Sequence, residues 1–326
     1  MKVLAGDVGG TNLRLAWVEA RPGQPARILE SETVLVEDHP DLGPAARAFL
    51  ERLPERPVRA CLGVAGTITG RVLEGVNLPW TIDADALEVE LGLERLDLIN
   101  DFHAAARGVE ALGPEGQIHL SGQEPDPQAP IGILGAGTGL GQAFLIPQPG
   151  SEPVSRLVVS TEAGHRDFAP CNPLQDRLLI YLRDYFVGRV STERVLSGPG
   201  LSSIYSFLVD AEGRPPCPAV EAGDRRPPAV TASGHPTAGA ALDLFVDVYG
   251  AEAGNLGLTV LARGGVYLAG GIAPRIVHGL RAERLARAFV QKGRFSEYLQ
   301  ELPLRLITDP DLGLLGAAQE ALLGAR

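Results

Sequence analysis

The sequence predicts an α/β protein with two related domains, in which mixed β-sheets are flanked by helices and a ligand cleft lies between the domains. Near the start, two strand-like runs flank a Gly-rich turn at residues 9–12. The same arrangement recurs at residues 131–146, about 127 residues later, which indicates two related halves. In each half, strands and helices follow in the order βββαβα.

The first half begins with a buried apolar strand, the turn, and a strand that alternates apolar and polar residues. Hydrophobic periodicity and turn residues give the later elements, and Asp83 is the predicted cap of one helix. We predict strands at 27–36, 58–66 and 95–99, and helices at 44–53, at 84–91 and from near Phe102 onward. The strand at 95–99 delivers Asn100 and Asp101 at its carboxyl end.

The second half repeats this order with insertions. Its predicted elements are the hairpin 131–146, strands at 156–159, 266–269 and 304–308, and helices at 172–186, 201–209, 237–262, 276–290 and 312–323. Proline marks residues 113–130 as a connector and residues 213–236 as a surface loop. We predict a small domain at residues 1–112 plus 307–326 and a large domain at residues 113–306.

Composition limits the partners and the compartment. A net charge of −11 argues against nucleic acid or an anionic membrane as a partner. The three cysteines are too few and too scattered for a disulfide framework, so a cytoplasmic protein is expected. The first strand begins almost at residue 1, and no apolar run reaches about 18 residues. We therefore expect neither a signal peptide nor a membrane span.

Both Gly-rich turns are suited to hold phosphate groups. Adjacent glycines such as Gly9 and Gly10 let backbone N–H groups converge on one small volume. Asp7, just before the first turn, puts a carboxylate where a phosphate-bound Mg²⁺ would sit. An ordinary hairpin is the alternative for one such turn, but the second turn favours a nucleotide polyphosphate. Neither turn is a Walker A loop, and Leu140 replaces the third glycine of a dinucleotide fingerprint.

Asn100 and Asp101 follow a predicted strand, at the end where ligands bind in open α/β sheets. A carboxylate there can accept the proton of a hydroxyl that attacks a phosphate. The same position also suits a residue that caps the following helix. Position alone does not decide between a general base and a cap.

Three further features could bind a sugar or a nucleotide, and each has a plainer interpretation. Glu162 and His165, three residues apart in a loop, can hydrogen-bond the hydroxyls of a polyol or can simply be solvated. Glu193 is either a further polar contact or a first-turn helix charge after Ser191. The pair at residues 270–271 suits the close approach of an adenine ring, or is a strand-to-helix turn.

Taken together, six blocks resemble the bacterial glucokinases of the non-zinc type, within the superfamily of ATPases that includes hexokinase, Hsp70 and actin. The blocks lie at residues 6–12, 98–102, 135–141, 162–170, 193–200 and 268–275. The resemblance implies two ribonuclease H-like (actin-like ATPase) domains. It also implies a kinase that phosphorylates glucose from ATP and Mg²⁺, and a homodimer. The His and Cys cluster of the zinc-containing relatives is missing from the sequence, so no zinc is expected.

The resemblance also implies a role for each site residue. Asp101 would be the general base on the sugar 6-hydroxyl, and Asp7 would act on Mg²⁺ through water. The implied sugar contacts are Asn77, Asn100, Asp101, Glu162, His165 and Glu193. The implied ATP contacts are Gly6, Asp7, Val8, Gly9, Gly10, Thr11, Asn12, Gly137, Thr138, Gly139, Gly270 and Gly271.

Other functions stay open on the sequence. The same scaffold can phosphorylate another hexose or an N-acetylated hexosamine, and the sequence does not settle the shape of the pocket. A non-catalytic sugar-binding regulator is a second possibility, although the base candidate and both phosphate turns are intact. An ATPase that acts on protein partners is a third, and the fold alone does not exclude it.

Overall fold

The structure is a computed structural model that describes residues 1–22, 24–74, 78–150 and 155–323. By its internal contacts the chain forms two units. The first comprises Met1–Gln117, Gln148–Ser160 and Asp309–Arg326, and the second Ile118–Pro147 and Thr161–Thr308. Residues 148–160 thus group with the first unit, whereas the sequence-based boundaries put them in the large domain; that division into domains stays a prediction.

Fourteen strands and twelve α-helices are found in the described part of the chain. The strands are β1 (Lys2–Val8), β2 (Asn12–Glu19), β3 (Arg27–Leu35), β4 (Arg59–Val64), β5 (Thr67–Thr69), β6 (Val72–Glu74), β7 (Thr81–Asp83), β8 (Arg95–Asn100), β9 (Gln117–Ser121), β10 (Ile131–Ala136), β11 (Leu140–Pro147), β12 (Arg156–Thr161), β13 (Val266–Ala269) and β14 (Leu304–Ile307). The helices are α1 (Leu42–Glu51), α2 (Ala84–Leu91), α3 (Asp101–Gly108), α4 (Pro173–Phe186), α5 (Gly198–Asp210), α6 (Pro218–Ala222), α7 (Pro227–Ala232), α8 (Pro236–Val260), α9 (Ala273–Ile276), α10 (Leu280–Val290), α11 (Ser296–Glu301) and α12 (Leu312–Leu323).

The main sheet of the first unit has the strand order β3-β2-β1-β4-β8. Strand β1 is antiparallel to β2 and parallel to β4, and β4 is parallel to β8. Val8 is aligned with Val64, which is in turn aligned with Asn100. The carboxyl ends of β1, β4 and β8 therefore meet at one edge of the sheet, where the first Gly-rich turn and the start of α3 also lie.

Helices cover both faces of this sheet because successive strand residues point to opposite sides. Leu4 belongs to the buried cluster that contains Phe49 of α1, while Val3 and Ala5 belong to the cluster that contains Leu314 of α12. A side cluster of three short strands, β5-β6-β7, precedes α2.

Helices α3 and α12 approach each other closely. A Cβ atom added to Gly316 would lie 1.7 Å from the carbonyl oxygen of Ala104, and one added to Gly108 would lie 2.2 Å from that of Leu312. The two backbones are therefore in direct contact at these positions, which only glycine permits. Because Asp101 is the first residue of α3, this contact helps to fix its position.

The second unit repeats the arrangement. The strands of its sheet follow the order β12-β11-β10-β13-β14-β9. The chain passes from one unit to the other within the outer strands, β9 and β12. Strand β10 is antiparallel to β11 and parallel to β13, so this sheet is also mixed. Helix α8 is buried beside it, and the hydroxyl of Tyr249 donates to the carbonyl of Ala269 at 3.1 Å.

The predicted α/β class with mixed sheets and flanking helices is confirmed, and three local expectations are wrong. Residues 113–130 contain β9, an edge strand, rather than a plain connector. Residues 213–236 contain α6 and α7 rather than only a loop. The predicted helix 276–290 is broken into α9 and α10 at Gly279, whose φ is +53°. No helix in the described ranges is long and apolar enough to cross a membrane.

Candidate active site

Asp7 stands near the carboxyl end of β1, half-buried beside one arginine. The Nη1 atom of Arg14 lies 3.7 Å from Oδ2 of Asp7, while the same guanidinium forms an ion pair with Asp311. Burial raises the pKa of the Asp7 carboxyl above its ordinary value of 3.8. Arg14 counteracts this rise in pKa, and the negative charge of Asp101 adds to it. The negative charge of the Asp7 carboxylate is therefore only partly neutralised by its protein neighbours.

The first Gly-rich turn follows directly. The N–H of Gly9 donates to the carbonyl of Asn12 at 3.0 Å, and the N–H of Val36 donates to the carbonyl of Thr11 at 2.9 Å. Gly10 and Thr11 are exposed. The predicted hairpin is thus present, and its exposed backbone remains suited to an anion.

Asn100 and Asp101 share the capping of α3. The Oδ1 atom of Asn100 accepts from the N–H groups of Phe102, at 2.9 Å, and His103, at 3.3 Å. Oδ1 of Asp101 also accepts from the N–H of Phe102, at 2.8 Å. Asn100 is therefore the N-cap residue, and a further bond from its side chain to a ligand would come from its amide nitrogen. Asp101 lies at the same edge of the sheet as Asp7, close enough for its charge to act on the Asp7 carboxyl.

The second Gly-rich turn, in the other unit, is held against Glu193. The N–H of Gly137 donates to the carbonyl of Gly139 at 2.8 Å. Oε2 of Glu193 accepts from the N–H of Leu140 at 2.9 Å, and a Cβ atom on Gly139 would lie 2.6 Å from it. Glu193 lies in the short 3₁₀ turn Thr192–Arg194, and its carboxylate is directed to the Gly-rich turn.

Glu162 precedes a second 3₁₀ turn, Ala163–His165, and His165 is the last residue of that turn. A Cβ atom on Gly164 would lie 2.1 Å from the carbonyl oxygen of Leu140, so this turn packs against the end of the Gly-rich turn. The His165 ring lies 3.8 Å from Oε2 of Glu162, whose side chain is 91% exposed. In the second unit the structure thus brings His165 and Glu193 together around residues 137–140, with Glu162 at the exposed rim.

A cavity of about 800 Å³ opens beside these groups in the second unit, and Thr138, His165 and Glu193 are among its lining residues. Such a volume is in the range of small-molecule sites. Tyr185 and Arg189 extend the lining away from the Gly-rich turn.

Gly270 and Gly271 follow β13. A Cβ atom on Gly270 would lie 2.4 Å from the carbonyl oxygen of Ala136, the residue before the second Gly-rich turn. The φ of Gly270 is +82°, a conformation that side chains rarely adopt, while Gly271 has open space around it. The predicted close approach to a flat ligand is therefore sterically possible at Gly271.

Asn77, an implied sugar contact, lies outside the described residues. Within the ranges that the structure describes, no three His, Cys, Asp or Glu side chains are grouped so as to hold a metal ion. Mg²⁺ bound together with nucleotide phosphates requires only one or two carboxylates. The only partly neutralised carboxylate of Asp7 fits that requirement.

Sequence reasoning missed a polar network behind the His165 turn, in which the buried residues Gln142 and Glu252 bond the half-buried Asn255 and the exposed Arg166. Glu252 is only 7% exposed and lies within the long apolar helix α8. A charged residue at a core position of such a helix is the signal that would have drawn attention to it.

A family model described as glucokinase matches residues 4–323 of the chain. The glucokinase of Nostoc punctiforme is 39% identical, with 97% of each chain covered. The glucokinase of Yersinia pestis is 38% identical, with 96% of this chain and 94% of that protein covered.

Solved structures agree in fold. The crystal structure of a glucokinase from an Antarctic psychrotroph has a TM-score of 0.87 at 32% identity, covering 100% of this chain and 99% of that one. A ROK family glucokinase from Streptomyces griseus, solved in complex with glucose and AMPPNP, has a TM-score of 0.64 at 19% identity, covering 99% and 100%. The second likeness concerns the fold alone.

Proposed function

Because the chain belongs to the glucokinase family, we propose that it transfers the γ-phosphoryl group of ATP to the 6-hydroxyl of glucose. The product is glucose 6-phosphate, and the reaction is the first step of glycolysis. The observation that carries the proposal is the register of the first sheet, which aligns the ends of β1 and β8. Asp7 and Asp101 therefore lie at the same edge as the first Gly-rich turn.

Asp101 is the general base of the proposed reaction. Its carboxylate accepts the proton of the 6-hydroxyl while the hydroxyl oxygen attacks the γ-phosphorus. The hydrogen bond from the Phe102 N–H and the packing of α3 on α12 support a fixed orientation for this carboxylate. Fixed orientation matters because an aligned base lowers the entropic part of the barrier.

Glu162, His165 and Glu193 bind the remaining sugar hydroxyls, and the amide nitrogen of Asn100 donates to another. Carboxylates accept strong hydrogen bonds from hydroxyls. Support comes from the joint position of His165 and Glu193 at the 800 Å³ cavity. Asn77 remains a proposed contact from the resemblance alone.

The two Gly-rich turns hold the ATP phosphates through backbone N–H groups, and residues 270–271 lie against the adenine. When bound, Mg²⁺ neutralises the charge that develops on the phosphate oxygens. Asp7 would hold this ion, acting through water bound to the metal. The absence of zinc and the homodimer stay predictions.

The test is an initial-rate assay with Mg·ATP on glucose, mannose, fructose and N-acetylglucosamine, with Asp101→Asn in parallel. Asparagine keeps an oxygen for the Phe102 N–H but cannot act as a base. We expect turnover on glucose to fall by roughly 10²–10⁴-fold with little change in the glucose KM. The control is Asp176→Asn, an exposed first-turn aspartate of α4, which should leave both constants unchanged.

Each other outcome has a definite meaning. Comparable turnover in Asp101→Asn would remove Asp101 from the role of base and leave it a helix-capping residue. Preference for N-acetylglucosamine over glucose would identify a hexosamine kinase. ATP binding without transfer to any sugar would identify a sugar-binding regulator or an ATPase with protein partners.

A further inference from the structure

A buried carboxylate lies behind the turn that carries His165. Glu252 of α8 accepts from Nε2 of Gln142 at 2.8 Å and from Nδ2 of Asn255 at 2.9 Å. It also forms an ion pair with the guanidinium of Arg166. A buried carboxylate is costly unless it is paired and fully hydrogen-bonded, and this one has three donors from three different elements. The Nζ atom of Lys292 extends the network through Asn255, at 2.7 Å.

Arg166 connects this network to both proposed sugar-binding residues of the second unit. It directly follows His165 in the chain. Its carbonyl oxygen accepts from the N–H of Thr192 at 2.8 Å and from the Thr192 hydroxyl at 3.2 Å, and Thr192 directly precedes Glu193. Backbone bonds on either side of Arg166 thus lead to the two residues that line the cavity.

The side chain of Arg166 also reaches the strand that follows the second Gly-rich turn. Its Nη2 atom donates to Oε1 of Gln142 at 3.0 Å, and Gln142 lies on β11. The carbonyl of Gln142 accepts from the hydroxyl of Thr161 at 2.8 Å, which ties the start of the same loop to β11. The Glu162–His165 segment is therefore held at both ends by one hydrogen-bonded group.

Arg166 is absent from the lining of the 800 Å³ cavity and instead lines a separate cavity of about 140 Å³ with Thr192 and Glu252. We propose that Arg166, anchored by Glu252 and Gln142, is a positioning residue that sets the distance between His165 and Glu193 for hexose binding. It acts through its backbone and its buried partners rather than by contact with the sugar. This inference rests on the proposed function.

The experiment measures kcat and the KM values for glucose and ATP in Arg166→Met and Glu252→Gln. We expect the glucose KM to rise roughly tenfold in each, the effect of losing one charge-assisted hydrogen bond. The kcat and the KM for ATP should stay within about twofold, because the base and the phosphate turns are untouched. A loss of folded protein would instead lower the apparent kcat and leave both KM values unchanged.

A matched control removes an equivalent ion pair elsewhere on the same unit. Arg177 of α4 donates to both carboxylate oxygens of Glu212, at 2.7 and 2.9 Å, outside the cavity and the network. Arg177→Met and Glu212→Gln should leave the glucose KM unchanged. An equal rise in these controls would overturn the positioning role, because any lost ion pair would then have the same effect.

Wild type and Asp101→Asn are assayed beside these variants. If wild type is active on glucose and Asp101→Asn is not, an unchanged glucose KM in Arg166→Met and Glu252→Gln overturns the positioning role alone. If wild type phosphorylates no hexose, both proposals fall.

If Arg166→Met or Glu252→Gln does not fold, the glucose KM of the milder variant Thr192→Val tests the positioning role in its place. This variant keeps the shape of the side chain and the backbone bond to Arg166, and removes the hydroxyl bonds to the carbonyls of Arg166 and Asp167. A rise of roughly threefold in the glucose KM supports the role, and no rise overturns it.

Discussion

At the scale of a single residue, we expect Asp7 to lower the stability of the fold while it serves the proposed Mg²⁺ site. Burial raises the pKa of its carboxyl, so the folded state loses stability as the pH rises above 3.8 and the group ionises. In Asp7→Asn this penalty is absent, and Arg14 keeps its ion pair with Asp311. We expect the free energy of unfolding in urea at pH 7 to be unchanged or higher than in wild type, while kcat/KM for Mg·ATP falls roughly 100-fold.

The same measurement has a clear contrary result. A less stable Asp7→Asn protein would show that the attraction of Arg14 for Asp7 outweighs burial. An active one would remove Asp7 from the proposed Mg²⁺ site.

Single residues also show what the sequence does and does not predict about the site. Asp7, Asn100 and Asp101 are recognisable because they lie at the carboxyl ends of strands, and strand ends are local features of the sequence. Arg166 and Glu252 are 86 residues apart, and nothing in their spacing indicates that they meet. Their contact depends on how α8 packs on the second sheet, which is a tertiary property.

At the scale of elements, the close contact of α3 with α12 can be tested by adding one methyl group. In Gly316→Ala the new methyl group would meet the carbonyl of Ala104 at 1.7 Å, so the helices must separate. We expect a loss of about 2–4 kcal/mol in the free energy of unfolding, since overpacking against backbone cannot relax by a side-chain rotation. Turnover should also fall, because α3 begins with Asp101.

Gly239→Ala is the control for this substitution. Gly239 lies in helix α8, and the nearest atom to an added Cβ is the end of the Arg281 side chain at 3.7 Å. Alanine there should stabilise the protein slightly through its helix propensity. If Gly316→Ala were as stable as Gly239→Ala, this result would contradict the close contact between α3 and α12.

Elements with strong local signals are predicted from the sequence with correct bounds, as at α2, β13 and α12. Helices α6 and α7 are not, because proline in this segment predicts a loop, whereas Pro218 and Pro227 are each the first residue of a helix. Proline is favoured in that position. Strand β9 alternates polar and apolar residues, but it is only five residues long and lies in a proline-containing segment at the edge of its sheet.

At the scale of the whole molecule, the first unit is assembled from three separate stretches of chain, and one buried ionic network joins them. Arg107 bonds Glu110 at 2.6 Å, Glu320 at 2.9 Å and the carbonyl of Arg156 at 3.0 Å. Arg156 bonds Glu110 as well, at 3.0 Å. The network thus contains residues from the first, second and third stretches.

This network makes the unit sensitive to acid. Burial by itself would raise the pKa of the Glu320 carboxyl, but His103 and Arg107 outweigh burial and lower that pKa below its ordinary 4.5. A lowered pKa contributes stability above pH 4.5, and that stability is lost as the pH falls further. We expect Glu320→Gln to be less stable at pH 7 by roughly 1.5–3 kcal/mol and to lose less stability than wild type between about pH 5 and pH 3. Urea denaturation at several pH values measures the stability at pH 7 and its loss in acid. If the stability of Glu320→Gln and of wild type changed with pH in parallel, the role of Glu320 would be contradicted.

The contact between α3 and α12 also has a consequence for synthesis on the ribosome. Helix α3 ends at Gly108, and α12 begins at Leu312. At 5–20 residues per second, roughly 10 to 40 s pass between their appearance. The whole second unit, Ile118–Pro147 and Thr161–Thr308, is translated in that interval. Although Asp101 belongs to the first third of the chain, its helix acquires this packing partner only after residues 312–323 are synthesised, so a product that stops before them lacks the contact that helps to fix Asp101.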